Sequence, residues 1–306
     1  MIAVPRTVSV ANTVPTRPGD TRAKEGATTF DLQTRVGPFD TALDRAFVRG
    51  YLSAVLAATS HVDPHRDAAP PAAIATRVFE AQFAGITQLV PPPVWDSMRG
   101  GVHGEHDLVL RRPIRPGEPL STLVGIHSVR PLRHNARIVL RHETVDAGGD
   151  LVAEQLWTTV LIGATCDASG PELPAHSFER GDRVPAAQRH VHIDARMARD
   201  YAAVSGDHSA HHFEAEAAQR SGYEEPFLHG MCTLGVCTEA AVDALAGGDP
   251  AQIGRVAVRF ASPVFFEREL TVSFYDVGGA AFAFEARCDG ARVISNGRVE
   301  LRSGPG

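Results

Sequence analysis

The sequence predicts an α+β protein of two related halves, each a helical segment followed by an antiparallel sheet. Apolar residues recur at helical spacing over 44–59, and a second helix is expected at 194–204 with an apolar segment at 231–245. Each helical region is followed by four short runs rich in Val, Leu, Ile and Thr. Gly148-Gly149, Gly278-Gly279 and Asp289-Gly290 stand between neighbouring runs as hairpin signals. At 306 residues the chain suits two domains of ordinary size.

In the first half, Pro38 and Asp40 form an entry turn before the 44–59 helix, in which Ala46, Phe47, Val48, Tyr51, Leu52, Val55 and Leu56 recur at helical spacing. A loop rich in His, Asp, Pro and Ala leads to Pro71, and an apolar segment spans 74–90. Beyond the breaker Pro91-Pro92-Pro93, strands are expected at 106–112, 120–129, 136–145 and 151–162. The stretch 166–189 has Gly, Pro, Ser and charges without a period, and reads as a linker. In the second half the 194–204 helix ends at Ser205-Gly206, and strands follow at 255–260, 270–276, 280–288 and 291–301. The resulting division is a weakly ordered leader at 1–35, an N-terminal unit at 36–165, a linker at 166–190 and a C-terminal unit at 191–306.

Composition excludes several classes. Hydrophobic residues are 43% and charged residues 22%, which suits a packed globular core rather than a disordered chain. The net charge is -6 and basic residues are scattered, so no nucleic-acid partner is expected. No apolar run reaches eighteen residues and the first thirty lack a signal-peptide pattern, so no membrane partner is expected. The four cysteines form no C-x-x-C pair, which fits a reduced, cytoplasmic setting and no structural zinc.

The chemistry is concentrated in Tyr201-Ala-Ala-Val-Ser-Gly-Asp207-His-Ser-Ala-His-His212 and in Pro226-Phe-Leu-His229-Gly230-Met231. Gly206 falls where a helix would end in a left-handed cap. Asp207 and His212 then share a short loop, on which a carboxylate and an imidazole can converge on one water or hydroxyl. Gly230 lies at the expected start of an apolar helix, whose first N–H groups lack internal partners and can receive developing negative charge. Alone, Ser-Gly-Asp is a common turn; the companion His229-Gly230-Met231 favours catalysis. His208, His211 and His212 also offer imidazoles to a metal, but no familiar ligand spacing completes them, and no metal is expected. His229 is expected to brace the loop before Gly230, and Cys232 and Cys237 to be buried thiols.

At these residues the chain resembles the MaoC-like (R)-specific enoyl-CoA hydratases, whose motif runs Tyr-x-x-x-Ser-Gly-Asp-x-Asn-Pro-aliphatic-His and continues to His-Gly-Met. Ser205, Gly206, Asp207, His212, His229, Gly230 and Met231 fall in register. The resemblance implies a double hot-dog fold with the C-terminal unit catalytic. In the first half, Pro70-Pro71 and His103-Gly104-Glu105 before Pro113-Ile-Arg-Pro-Gly117 are similar to the family's degenerate N-terminal unit, which would supply packing and substrate space.

The resemblance further implies a (de)hydratase interconverting 2-enoyl and 3-hydroxyacyl thioesters of coenzyme A or acyl carrier protein, in fatty-acid or secondary-metabolite (polyketide) biosynthesis. Asp207 and His212 would be catalytic, and Gly230, Ser209, Thr238 and His229 would form the oxyanion and substrate-binding group. No cofactor would be needed, an acyl carrier protein is a candidate partner, and a homodimer is the expected assembly. The chain departs from the motif where Ser209-Ala210-His211 replaces Asn-Pro-aliphatic. That departure keeps open a recruited proton-transfer reaction (isomerisation, cyclisation or another elimination), thioester hydrolysis, and a non-catalytic acyl-binding partner subunit.

Overall fold

The computed structural model describes residues 30–56 and 67–302. Most of the leader placed at 1–35 lies outside the described residues, but its end belongs to the fold. Phe30 is buried in a core cluster with Val124, Ile138 and Leu140, and Arg35 opens the first strand. A lone aromatic among polar residues carries no period, so no pattern in the sequence marks it as core.

The first half runs β1 (Arg35–Asp40), α1 (Arg45–Val55), α2 (Ala73–Arg77), α3 (Phe79–Leu89), α4 (Pro92–Ser97), β2 (Gly100–Leu110), β3 (Leu120–Leu132), β4 (Asn135–Asp146) and β5 (Leu151–Ile162). The second runs β6 (Ala187–Ile193), α5 (Arg196–Ser205), α6 (Ala215–Arg220), α7 (Gly230–Leu245), β7 (Ile253–Phe260), β8 (Arg268–Gly278), β9 (Ala281–Cys288) and β10 (Ala291–Leu301). The strands form one antiparallel sheet in the order β1-β3-β4-β5-β2-β7-β10-β9-β8-β6. Read outward from its centre, the two halves repeat the same strand order, with β2 and β7 joined from Glu105 opposite Arg259 to Val109 opposite Arg255. This is the α+β double hot-dog, closed edge to edge within one chain.

Three expectations are corrected. The 44–59 helix is shorter: Asp44 caps it by accepting from the Phe47 N–H, and it ends at Val55, with 57–59 outside the described residues. It packs on α5, its counterpart in the second half, rather than lying on the sheet; the first-half helix on the sheet is α3, within the apolar segment 74–90. The last residues of the 166–190 linker are strand, because β6 begins at Ala187. Among the described residues β6 is an edge strand paired only with β8, and its alternating partial exposure leaves no hydrophobic signal in the sequence.

The central helix α7 buries both Cys232 and Cys237. Burial raises both thiols, Cys237 to about 12, so neither is a reactive thiolate at neutral pH. No described helix is long and apolar enough to cross a membrane.

Candidate active site

Helix α5 ends at Gly206, whose φ of 76° is left-handed and whose N–H bonds to the Ala202 carbonyl at 2.9 Å. Such a cap suits glycine and turns the chain off the helix axis. Asp207 follows, and its Oδ1 accepts from the Ser209 N–H at 3.1 Å and from the Ser209 hydroxyl at 2.5 Å. A short 3-10 turn, Ala210–His212, then carries His212 inward to a buried position. Ser209 thus braces the Asp207 carboxylate from within the loop.

Two backbone carbonyls set the imidazole tautomers. His212 Nδ1–H donates to the Phe227 carbonyl at 2.8 Å, leaving the Nε2 lone pair free for a proton or a water. His229 Nε2–H donates to the Asp207 carbonyl at 3.0 Å, which ties the start of α7 to the loop that carries Asp207. The two rings stack with centroids 3.7 Å apart. One donor atom from each of Asp207, His212 and His229 lies within 4.8 Å of the others, a separation that one water can bridge with two ordinary hydrogen bonds.

Burial, with the neighbouring His229 and His211, drives His212 down to about 3, against the opposing pull of Asp207 and the Phe227 carbonyl. Burial likewise lowers His229. For Asp207 burial acts upward, but the Ser209 hydrogen bond and the adjacent histidines outweigh it and hold the carboxyl below its ordinary value. At neutral pH the group is therefore a carboxylate beside two neutral imidazoles. A Ser209→Ala variant is expected to raise the Asp207 pKa, so the acid limb of its pH–rate profile moves to higher pH; an unmoved limb would show that the bond is not felt.

Gly230 is the first residue of α7, so its N–H has no partner within the helix and lies at the positive end of the helix dipole. A Cβ at this position would meet the Phe260 ring at 3.5 Å, an ordinary contact, so packing alone does not require glycine. Gly230→Ala is expected to melt close to wild type while losing about 10²-fold in activity, because a methyl group there displaces a bound carbonyl from the N–H. Equal activity in the two proteins would remove Gly230 from the site.

The structure does not bring Thr238 to this group. It lies about 12 Å along the helix from Gly230, and its hydroxyl donates to the Leu234 carbonyl of its own helix at 2.8 Å. Eight residues are just over two turns, so the spacing also rotates it away. The metal reading changes as well: among the described residues the group placed to hold a metal ion is Asp207, His212 and His229, without His208 and His211. Sequence reasoning misses Phe260, and it names His103 only for packing and substrate space without its contact here, a ring centroid 4.7 Å from that of Phe260. His103 approaches from the other half through the β2–β7 junction, a pairing that no local spacing reveals.

Residues 178–295 match the family described as MaoC like domain. The chain is 35% identical over 218 residues to 3-hydroxyacyl-thioester dehydratase Y of Mycobacterium tuberculosis, covering 66% of this chain and 73% of that protein. It is 29% identical over 206 residues to the peroxisomal multifunctional enzyme type 2 of Drosophila melanogaster, covering 66% of this chain but only 34% of that longer protein. A MaoC-like dehydratase from Phytophthora capsici superposes with a TM-score of 0.76 at 21% identity, over 89% of this chain and 96% of that one, a likeness of fold.

Proposed function

The chain belongs to the MaoC-like dehydratase family, and on that premise we propose that Asp207 and His212 hold one water between them and add it to, or withdraw it from, an acyl thioester. The enzyme is a carbon–oxygen lyase that interconverts 2-enoyl and 3-hydroxyacyl thioesters. The single observation that carries the site assignment is the approach of the Asp207 carboxylate and a His212 ring nitrogen to within 4.8 Å of each other, a separation one bridging water can span.

In the hydration direction the water donates its hydrogens to the Asp207 carboxylate and the His212 Nε2 lone pair. Its oxygen attacks the β-carbon, the electron pair of the double bond moves toward the thioester, and the Gly230 N–H receives the charge growing on the acyl oxygen. The pair takes one proton from the water and returns it to the α-carbon, so the site ends in the state in which it began. His229 holds the Asp207 backbone through its Nε2–H. Dehydration follows the same steps in reverse.

Since a carboxylate and an imidazole suffice for these proton transfers, no cofactor is assigned. Activity is expected to survive dialysis against a chelator, whereas excess zinc is expected to inhibit by occupying the three donor atoms; loss of activity on chelation, restored by metal, would contradict this. Either coenzyme A or an acyl carrier protein can present the thioester, and a homodimer is the proposed assembly, checked by comparing rates on both carriers and by solution mass.

The function is tested by adding purified protein to a 2-enoyl-CoA and following the conjugated enoyl absorbance together with free thiol. Loss of absorbance without thiol release is expected. Thiol release would mean hydrolysis, and no change across chain lengths on either carrier would mean a non-catalytic protein.

A further inference from the structure

The inner faces of the two halves differ in chemistry. In the second half, β8 and β9 set Leu270 opposite Cys288, Val272 opposite Ala286 and Phe274 opposite Phe284, all buried in one apolar core with α7. In the first half the same face carries buried polar side chains among its apolar ones. Gln155 on β5 lies opposite both Leu108 and His142, and Trp157 lies opposite both His106 and Leu140. His103, His106 and His142 surround the Trp157 ring, with centroids at 4.2, 5.2 and 6.2 Å.

This polar face is incompletely paired. His106 Nε2 and Gln155 Oε1 bond at 3.1 Å, and Gln82 of α3 donates to Thr159 at 3.3 Å. Yet His103 Nε2, His106 Nδ1, both ring nitrogens of His142, Gln155 Nε2 and Gln82 Oε1 are buried without a hydrogen-bond partner among the described residues. A buried polar atom left unpaired is costly, and native proteins nearly always pair it with protein, water or ligand. Six such atoms on one buried face, four of them on the histidines around Trp157, therefore indicate a place that receives something polar. Burial lowers His103, and lowers His106 and His142 to about 4 and about 3, so all three are neutral. A neutral imidazole can offer one donor and one acceptor, which suits a hydroxyl or a carbonyl oxygen.

The cluster is continuous with the candidate active site. His103 packs against Phe260, and the Phe260 ring borders the space beside Gly230, where the thioester carbonyl is placed. By its resemblance the first half supplies the substrate space, here the acyl-chain channel; we propose that these unpaired polar groups make that channel select thioesters whose chains carry further hydroxyl or keto oxygens over saturated chains of equal length. The inference rests on the proposed function for the position of the thioester and adds to it the class of acyl chain. A saturated chain expels water from these atoms and returns no hydrogen bonds, whereas an oxygenated chain replaces them.

The test compares two 2-enoyl-CoA substrates of equal length, one saturated beyond the double bond and one hydroxylated at the δ-carbon, with crotonyl-CoA as a control too short to reach the channel. Wild type is expected to favour the hydroxylated chain by on the order of tenfold or more in kcat/KM. His142→Leu and Gln155→Leu are expected to narrow that ratio and leave crotonyl-CoA turnover unchanged. Binding of the matching 3-hydroxyacyl-CoA pair is read separately from Trp157 fluorescence in a Trp95→Phe background, since these are the two tryptophans of the chain. Equal or reversed preference in wild type overturns the channel assignment even if hydration proceeds. Tighter binding of the hydroxylated chain without turnover of any substrate upholds the channel and defeats the hydratase reading instead.

Discussion

Asp207→Asn is expected to hydrate 2-enoyl-CoA about 10²- to 10⁴-fold more slowly than wild type, with KM little changed. The amide has the size of the carboxylate and its oxygen can still accept from the Ser209 N–H and hydroxyl, so the loop keeps its shape. What disappears is the negative charge and the ability to take a proton from water. His212→Ala should be comparably slow, because the ring nitrogen that holds the other side of the water is gone. His208→Ala, at an exposed position on the same loop, should keep wild-type activity. In wild type the rate should be flat over about pH 5 to 8, without the inflection of an ordinary histidine, because His212 is held down to about 3. A variant at Asp207 with wild-type kcat would remove the carboxylate from the chemistry.

The second large effect is on stability. His106 and His142 have folded-state values of about 4 and about 3, set first by burial. The unfolded chain binds protons on these rings near the ordinary histidine value and the folded chain does not, so stability falls as pH drops below about 6.5 and levels off at the folded values. At about pH 4.5 each of the two costs about 2–3 kcal/mol. His103, His212 and His229 are lowered too and act in the same direction. His176 acts oppositely: burial pulls it down, but Glu105 and the Asn296 carbonyl hold it above its ordinary value. The melting temperature is therefore expected to fall on the order of 10 °C or more between about pH 7 and pH 5. His142→Leu should flatten that slope. A melting temperature constant over this range would show that these rings are already protonated in the folded state.

Much of this architecture is legible in the amino-acid sequence. Most strands after Pro91 and after Asp249 appear close to their expected bounds, because alternation and hairpin glycines are local signals, but β2 begins at Gly100, six residues before the expected start at 106. β1 and β6 are not legible: both are short edge strands, β1 contains Pro38, and their registers are set by partners far along the chain. The Asp207–His212 loop can be read from Gly206 and the spacing that follows it. The parts that tune it cannot. His229 reaches the Asp207 carbonyl from twenty-two residues away, and Phe260 and His103 meet only because β2 pairs with β7. Thr238 shows the converse error, since nearness along a helix is not nearness to the site at its end.

The account stands on one acid–base pair serving one water, and hydration of crotonyl-CoA in D2O examines that directly. If the same pair delivers the hydroxyl to the β-carbon and the deuteron to the α-carbon, NMR of the product will show both on the same face of the former double bond. A product with the two on opposite faces, or with deuterium distributed over both α-positions, would mean that the proton comes from elsewhere and that Asp207 and His212 do not act as a unit.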